Sequence, residues 1–257
     1  MKLNEFNSLT ELFFYQANKQ NPKNIFLEWI NPNNKKFFTW SETVSNIYKL
    51  TKTLKEYQKK LSKKLYSKYK LNKKSFVIDI GSNDGTLLEG FKKKTKILGV
   101  EPTNTAKIAN KNGIKTIQNF INEGLAKRIV KKYGQADLIT ATNVFAHMAD
   151  LGKVLRSIEI LLNDNGHFVL ENHYLLDIIK DLQFDSIYHE HVRTYSLKPI
   201  IKLFSFYDLK VIKVERASRY GGNIRVHVAK NFNEKTESFI IFKYFFFVPQ
   251  NKVFQLI

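Results

Sequence analysis

Apolar positions between residues 76 and 229 recur in two rhythms. Short apolar or β-branched runs lie at Phe76–Ile80, Lys96–Glu101, Ile114–Ile117, Ala136–Thr142 and Gly166–Glu171. Between them apolar residues fall at helical spacing: Thr105–Asn112 closed by Gly113, Ile121–Tyr133 ended by Gly134, and Leu151–Leu162. Strands alternating with helices predict a parallel sheet with helices on both faces. Right-handed crossovers then put every strand's carboxyl end on one rim. Two further β-rich runs, Leu209–Val214 and Ile224–Ala229, are joined by a turn through Gly221-Gly222. They predict an antiparallel hairpin that completes a mostly parallel, seven-stranded sheet.

The opening run is the most informative. Phe76 to Leu88 reads FVIDIGSNDGTLL: a buried strand broken only by Asp79, a loop of Gly81, Ser82, Asn83, Asp84 and Gly85, then an apolar helix start. This order forms the crevice in which open α/β sheets hold nucleotide-like ligands. Glu101, at the end of the next strand about 20 positions on, is placed to take both hydroxyls of a ribose. No phosphate-gripping Lys follows the loop, and Asp84 would repel a phosphate. The cationic, phosphate-free S-adenosylmethionine suits it, and an antiparallel finish to a parallel sheet is the habit of class I methyltransferases. The expected fold is therefore α/β, Rossmann-like, of the class I methyltransferase type.

Residues 1–55 do not share this rhythm. Phe26–Trp29 and Lys36–Trp40 predict a hairpin around Asn31-Pro32-Asn33-Asn34, followed by a helix with Ser41 as its N-cap. LTELFFYQANKQNPKNIFLEW and FTWSETVSNIYKL resemble the start of acyl-adenylate-forming synthetases, whose catalytic elements lie further along, so no adenylation is implied. The expected organisation is an N-terminal appendage (1–55), a methyltransferase domain (56–232) and a tail (233–257). That tail carries the apolar run FIIFKYFFFV at 239–248, read as a buried strand or the stump of a further domain.

Composition narrows the partners. With 43% hydrophobic and 14% aromatic residues the chain can build a core. It contains no cysteine, which removes disulfides and thiolate chemistry and suits a cytoplasmic setting. Neither a signal peptide nor an apolar run long enough for a membrane span is read. The net charge of +19 is densest at Lys52–Lys74, with ten lysines and one glutamate. Leu54, Tyr57, Leu61, Leu65 and Tyr69 recur there at helical spacing, so the lysines read as a solvated helix face. No arginine cluster and no aromatic residues interleave them on the polar side, and Asn143 is followed by Val-Phe rather than a base-pocket motif; these count against nucleic acid.

Three groups carry candidate chemistry. Asn143-Val144-Phe145-Ala146-His147 follows the fourth strand, beside the place of a transferable methyl; a helix-start histidine bonded to backbone is the alternative. Tyr188-His189-Glu190-His191 gathers two imidazoles, a phenol and a carboxylate, a set suited to proton transfer near neutral pH. A zinc-hydrolase motif needs a second histidine where Arg193 stands, so no metal is assigned. A looser metal site through His189 and His191, or a structural hydrogen-bond network, is the competing reading. Arg225, after the Gly-Gly turn, is placed to clamp a phosphate or carboxylate unless the turn is purely structural.

IGSNDGTLL, NVFAHMADL, FDSIYHEHVRTYSL and GGNIRVHV, in this order, resemble the signature blocks of S-adenosylmethionine-dependent sugar C-methyltransferases acting on nucleotide-linked keto-deoxysugars. The resemblance runs from about Glu56 to Lys230. It implies His191 as the base beside the sugar ketone, with Tyr188, Glu190 and His147 positioning the sugar and stabilising the enolate. His189, beside them, is read together with Arg225 as a substrate contact. Members of that family begin with a cysteine-built zinc domain and continue into a further C-terminal domain, neither of which is read here. A module that binds the donor without turnover is thus the first rival reading, and a nucleic-acid methyltransferase the second.

Overall fold

The computed structural model describes residues 9–31, 34–219 and 221–230. The apolar run at 239–248 lies outside them. The chain divides into two compact units, Met1–Lys60 and Leu61–Ile257.

In the first unit, α1 (Leu9–Lys19) precedes an antiparallel pair, β1 (Ile25–Asn31) and β2 (Asn34–Thr39), and then α2 (Trp40–Lys68) begins. Phe13, Phe26 and Trp40 cluster with ring centroids 4.3–5.6 Å apart. The helix start corrects the expected cap: Thr39, not Ser41, closes it. Thr39 N–H donates to Glu42 Oε2 at 2.8 Å and Glu42 N–H donates back to Thr39 Oγ1 at 3.3 Å. This reciprocal arrangement satisfies two amide donors that a helix leaves unpaired, which a lone Ser41 could not do.

The second unit holds the seven-stranded sheet in the order β5-β4-β3-β6-β7-β9-β8. These strands are β3 (Phe76–Ile80), β4 (Lys96–Val100), β5 (Thr116–Ile117), β6 (Ala136–Thr142), β7 (Leu162–His173), β8 (Lys210–Ala217) and β9 (Asn223–Ala229). β3 to β7 are parallel, and β9 joins antiparallel to both β7 and β8. The expected architecture is observed. β3 is buried at every position, which is why it reads as a continuous apolar run. The helices are α3 (Thr86–Glu89), α4 (Thr105–Lys111), α5 (Glu123–Tyr133), α6 (Leu151–Leu161), α7 (Leu175–Lys180) and α8 (Leu197–Phe204). Among the described residues no helix is long and apolar enough to cross a membrane.

Several boundaries shift for local reasons. α2 ends at Lys68 rather than running to residue 74, because Leu71 N–H returns to Tyr66 O at 3.1 Å and Lys70 adopts a φ of 49°. Its predicted apolar face survives there: Leu61 and Leu65 are buried while Lys59, Lys60, Lys63 and Lys68 are exposed. β5 shrinks to two residues, since Ile114 N–H is spent on Ala109 O at the end of α4. α5 starts at Glu123 because the Asn122 side chain accepts from Leu125 N–H at 2.9 Å. β7 begins at Leu162, four residues early, with its register shifting before Leu138 pairs with His167.

Chain progression turns at β3: β4 and β5 lie to one side, β6 and β7 to the other. The C-terminal ends of β3 and β6 therefore flank the sheet's switch point, where open α/β folds leave a crevice. Between β7, β8 and β9, buried Arg225 of β9 meets Glu171 of β7 at 2.7 Å and Glu215 of β8 at 3.2 Å. This corrects the expectation of an anion clamp: the guanidinium is committed to two carboxylates within the sheet. Removing one partner of a buried charge pair leaves the others uncompensated. Arg225→Ala should lower the unfolding free energy by about 3 kcal/mol, read as a lower urea midpoint; an unchanged midpoint would contradict the structural role.

Candidate active site

The loop after β3 is held by its backbone. Gly81 and Ser82 N–H both donate to Val100 O, at 2.8 and 3.3 Å. Gly81 has a φ of 70°, and a Cβ there would lie 2.3 Å from Val144 Cγ1. Glycine thus lets the loop after β3 close against the loop after β6. Asn83, at φ 51°, directs its N–H to Glu101 Oε2 at 3.0 Å, and Thr103 N–H donates to Oε1 at 2.9 Å. Glu101 is 6% exposed. Each of its oxygens accepts one backbone amide and keeps a second lone pair, so the carboxylate is oriented with acceptor capacity to spare. Asp84 turns inward to α3, accepting from Thr86 N–H at 3.1 Å and Thr86 Oγ1 at 2.7 Å. Its charge lies at the helix start beside Gly85.

Beneath this loop sits Asp79, 2% exposed, accepting from Thr140 Oγ1 at 2.6 Å. Burial raises its carboxyl to about 7, opposed by the Thr140 bond and assisted by the negative charge of Glu101.

Asn143 follows β6 with a φ of 56°; its N–H donates to Glu171 O at 2.7 Å and its side chain meets Asn223 at 3.0 Å. A short 3-10 turn, Phe145–His147, leaves His147 exposed, with Nδ1 donating to Glu190 O at 3.0 Å. The YHEH segment thereby reaches this loop. The rings of His147 and His191 are 4.9 Å apart, and those of Tyr188 and His191 4.3 Å. His191 Nδ1 lies 2.7 Å from Ser186 O, an acceptor, so that nitrogen carries the proton. Nε2 is then the basic nitrogen, and it receives the Tyr188 hydroxyl at 3.2 Å. Glu190 and His189 are exposed; Glu190 joins through its carbonyl, while the His189 ring stands edge-on to Tyr188, 6.0 Å between centroids. The structure brings His147, Tyr188 and His191 together and commits Arg225 to Glu171 and Glu215 within the sheet. Among the described residues no group of three or more His, Asp or Glu is arranged to hold a metal ion.

Two residues at this site were given no role by the sequence reading. His173 stands edge-on to His191, 5.7 Å between centroids, with burial and then the His191 charge holding its imidazole below the usual range. Asn223 opens β9 opposite His173 and faces Asn143. His173 lies two residues beyond Glu171 on the same strand face, and strand alternation extended past Glu171 would have reached it.

Residues 50–214 match a methyltransferase domain family. The chain belongs to that family, as a class I domain whose methyl donor is S-adenosylmethionine. It is 36% identical over 155 residues to the C-methyltransferase NovU of Streptomyces niveus, covering 60% of this chain and 37% of that protein. The chain thus spans little more than a third of that relative's length. A S-adenosylmethionine-dependent methyltransferase from Clostridium acetobutylicum superposes with a TM-score of 0.56 at 14% identity, over 74% of this chain and 98% of that one. Magnesium protoporphyrin IX methyltransferase from Synechocystis, solved with S-adenosylhomocysteine, gives 0.55 at 10% identity, over 89% and 97%. At such identities these two speak for the fold.

The raised Asp79 carboxyl has a measurable consequence. Between its ordinary range near 4 and about 7, the folded state holds a proton that the unfolded chain has released. That contribution to stability is lost as pH rises through the window. Asp79→Asn should therefore gain in melting temperature relative to wild type on going from pH 5 to pH 8; a difference that is flat with pH would refute the assignment.

Proposed function

We propose that the domain transfers the methyl of S-adenosylmethionine to a carbon next to the ketone of a nucleotide-linked deoxysugar, with His191 as the base. The observation that carries this is the tautomer of His191: Nδ1–H is spent on Ser186 O, leaving Nε2 as a basic nitrogen beside the Tyr188 hydroxyl. Its imidazole packs against His147, on the loop whose Val144 covers the glycine of the donor loop. The 36% identity with NovU, named as a C-methyltransferase, supports carbon as the nucleophile.

In this reading Asp79, Gly81–Gly85, Glu101 and Asn143 hold the donor. Glu101 takes the ribose hydroxyls on its second lone pairs, and the loop amides approach closely because Gly81 and Gly85 have no side chain. The sugar ketone sits between the histidines. Nε2 of His191 removes the proton from the adjacent carbon, and the C–H electron pair moves into the enolate. The Tyr188 hydroxyl, at a long 3.2 Å from Nε2, exchanges that contact for the enolate oxygen. His147, with Nδ1–H fixed on Glu190 O, presents Nε2 to the sugar. The enolate carbon then attacks the methyl in line; the new C–C bond forms as the C–S bond breaks, and S-adenosylhomocysteine leaves neutral at sulfur. The transferred proton remains on His191 until it passes to solvent. The donor's positive charge supplies the electrophile.

Calorimetry with S-adenosylhomocysteine should show binding, and incubation with a keto-deoxysugar nucleotide in heavy water should exchange the proton next to the ketone. His191→Asn should abolish that exchange and lower turnover by about 10²–10⁴-fold while donor affinity holds. Binding with neither exchange nor turnover in the wild type would leave the donor-binding module as the answer.

A further inference from the structure

The segment that carries His191 is fastened to the loop after β6 by a dense two-way stitch. Val192 N–H donates to Ala146 O at 3.0 Å, and Tyr195 Oη donates to Phe145 O at 3.0 Å. In return His147 Nδ1 donates to Glu190 O. Arg193 completes it as a fork: Nη1 donates to Met148 O and Nη2 to Ala149 O at 2.8 Å. Four carbonyls of the 145–149 loop thus accept from residues 192–195. The same loop begins at Val144, whose side chain occupies the space that a Cβ on Gly81 would need. A continuous path of contacts runs from the donor loop through Val144 and these carbonyls to Val192 and the base beside it.

We infer that Arg193 is a positioning residue that makes the donor-side loop and the base-bearing segment move as one body, so that donor binding sets the position of His191. This rests on the reading of His191 as base and of residues 143–149 as the donor-side loop. The chemistry of the side chain supports it. A guanidinium is planar, keeps its charge throughout the working pH range and presents paired donors that span two successive carbonyls; an ammonium addresses one at a time. The segment it anchors would otherwise be weakly held. Leu182, Phe184 and Ile187 are 65–72% exposed, so little apolar burial fixes residues 182–191. A few polar bonds then decide where the imidazole sits, and a displacement on the order of 1 Å costs a proton transfer heavily. Arg193 itself is only half-buried, and Ala149 is exposed, so water can replace the lost donors without unfolding the chain.

Hydrogen exchange with S-adenosylhomocysteine as probe separates this role from simple structural support. In the wild type, saturating S-adenosylhomocysteine should slow exchange of the amides of residues 190–193. In Arg193→Ala that slowing should be lost while S-adenosylhomocysteine affinity stays within about twofold and the melting temperature holds. With a keto-deoxysugar nucleotide, kcat should fall about 10-fold or more at an unchanged KM for the donor, and Arg193→Lys should recover part of it. Equal slowing in wild type and variant, or an unchanged kcat, overturns the inference about Arg193 and leaves the donor site standing. Failure of the wild type to bind S-adenosylhomocysteine overturns the donor site and the coupling together.

Discussion

The whole active region depends on one close approach, that of Gly81 to Val144. Neither residue does chemistry. Their contact closes the crevice between β3 and β6, the two strands at which chain progression reverses. A methyl group at position 81 would occupy the same space as the valine side chain, so the loops could meet only with glycine there. On one side of this contact lie Glu101 and the amides of the donor loop; on the other lies the chain that presents Asn143 and His147. The distance between a bound donor and any acceptor is thereby set by van der Waals packing of a small residue against a β-branched one. Dipoles and charges act within that frame.

Charge is handled differently on the two faces of the crevice. The side built on the loop after β3 gathers Asp79, Asp84 and Glu101: burial raises the Asp79 carboxyl to about 7, while Glu101 accepts from backbone amides and Asp84 from Thr86. This leaves a region suited to a cation without three uncompensated carboxylates. The side proposed for the acceptor gathers imidazoles instead, His147 and His173 flanking His191. Behind both, Glu171 is clamped by Arg225 and carries, through its backbone carbonyl, the N–H of Asn143. A buried ion pair is a costly way to support a strand, but it fixes direction as well as position.

The sheet was legible because its strands are short buried runs and its helices keep their periodicity. Phe76–Ile80, Lys96–Val100 and Ala136–Thr142 lie where their apolar runs predict them. The loop after β3 and its contact with Glu101 were legible because they are local: strand, glycines and Glu101 fall within about one βαβ unit. What escaped was non-local. Arg225 looked like a free clamp because its partner Glu171 lies 54 positions earlier, and nothing in either neighbourhood announces the pairing. Thr39 lost out to Ser41 as a cap because the decisive residue, Glu42, reaches back to the residue three before it. Arg193 entered the sequence argument only as the residue standing where a zinc-binding histidine would be. Its reach to Met148 and Ala149 exists only in three dimensions.

The two borders of the sheet bear on how the molecule behaves in a crowded solution. β5 contributes only two paired residues, and β8 presents Lys210, Lys213, Glu215 and Arg216 among its eight. A border that short gives an incoming strand too few amides to hold, and a border that charged makes a foreign strand pay desolvation for each rung. Seven strands rich in valine and isoleucine would otherwise be a ready template for cross-β growth. Among the described residues, the sheet is therefore guarded against lateral strand addition by its own terminal strands, while its carboxyl rim is left to the loops that carry the candidate site.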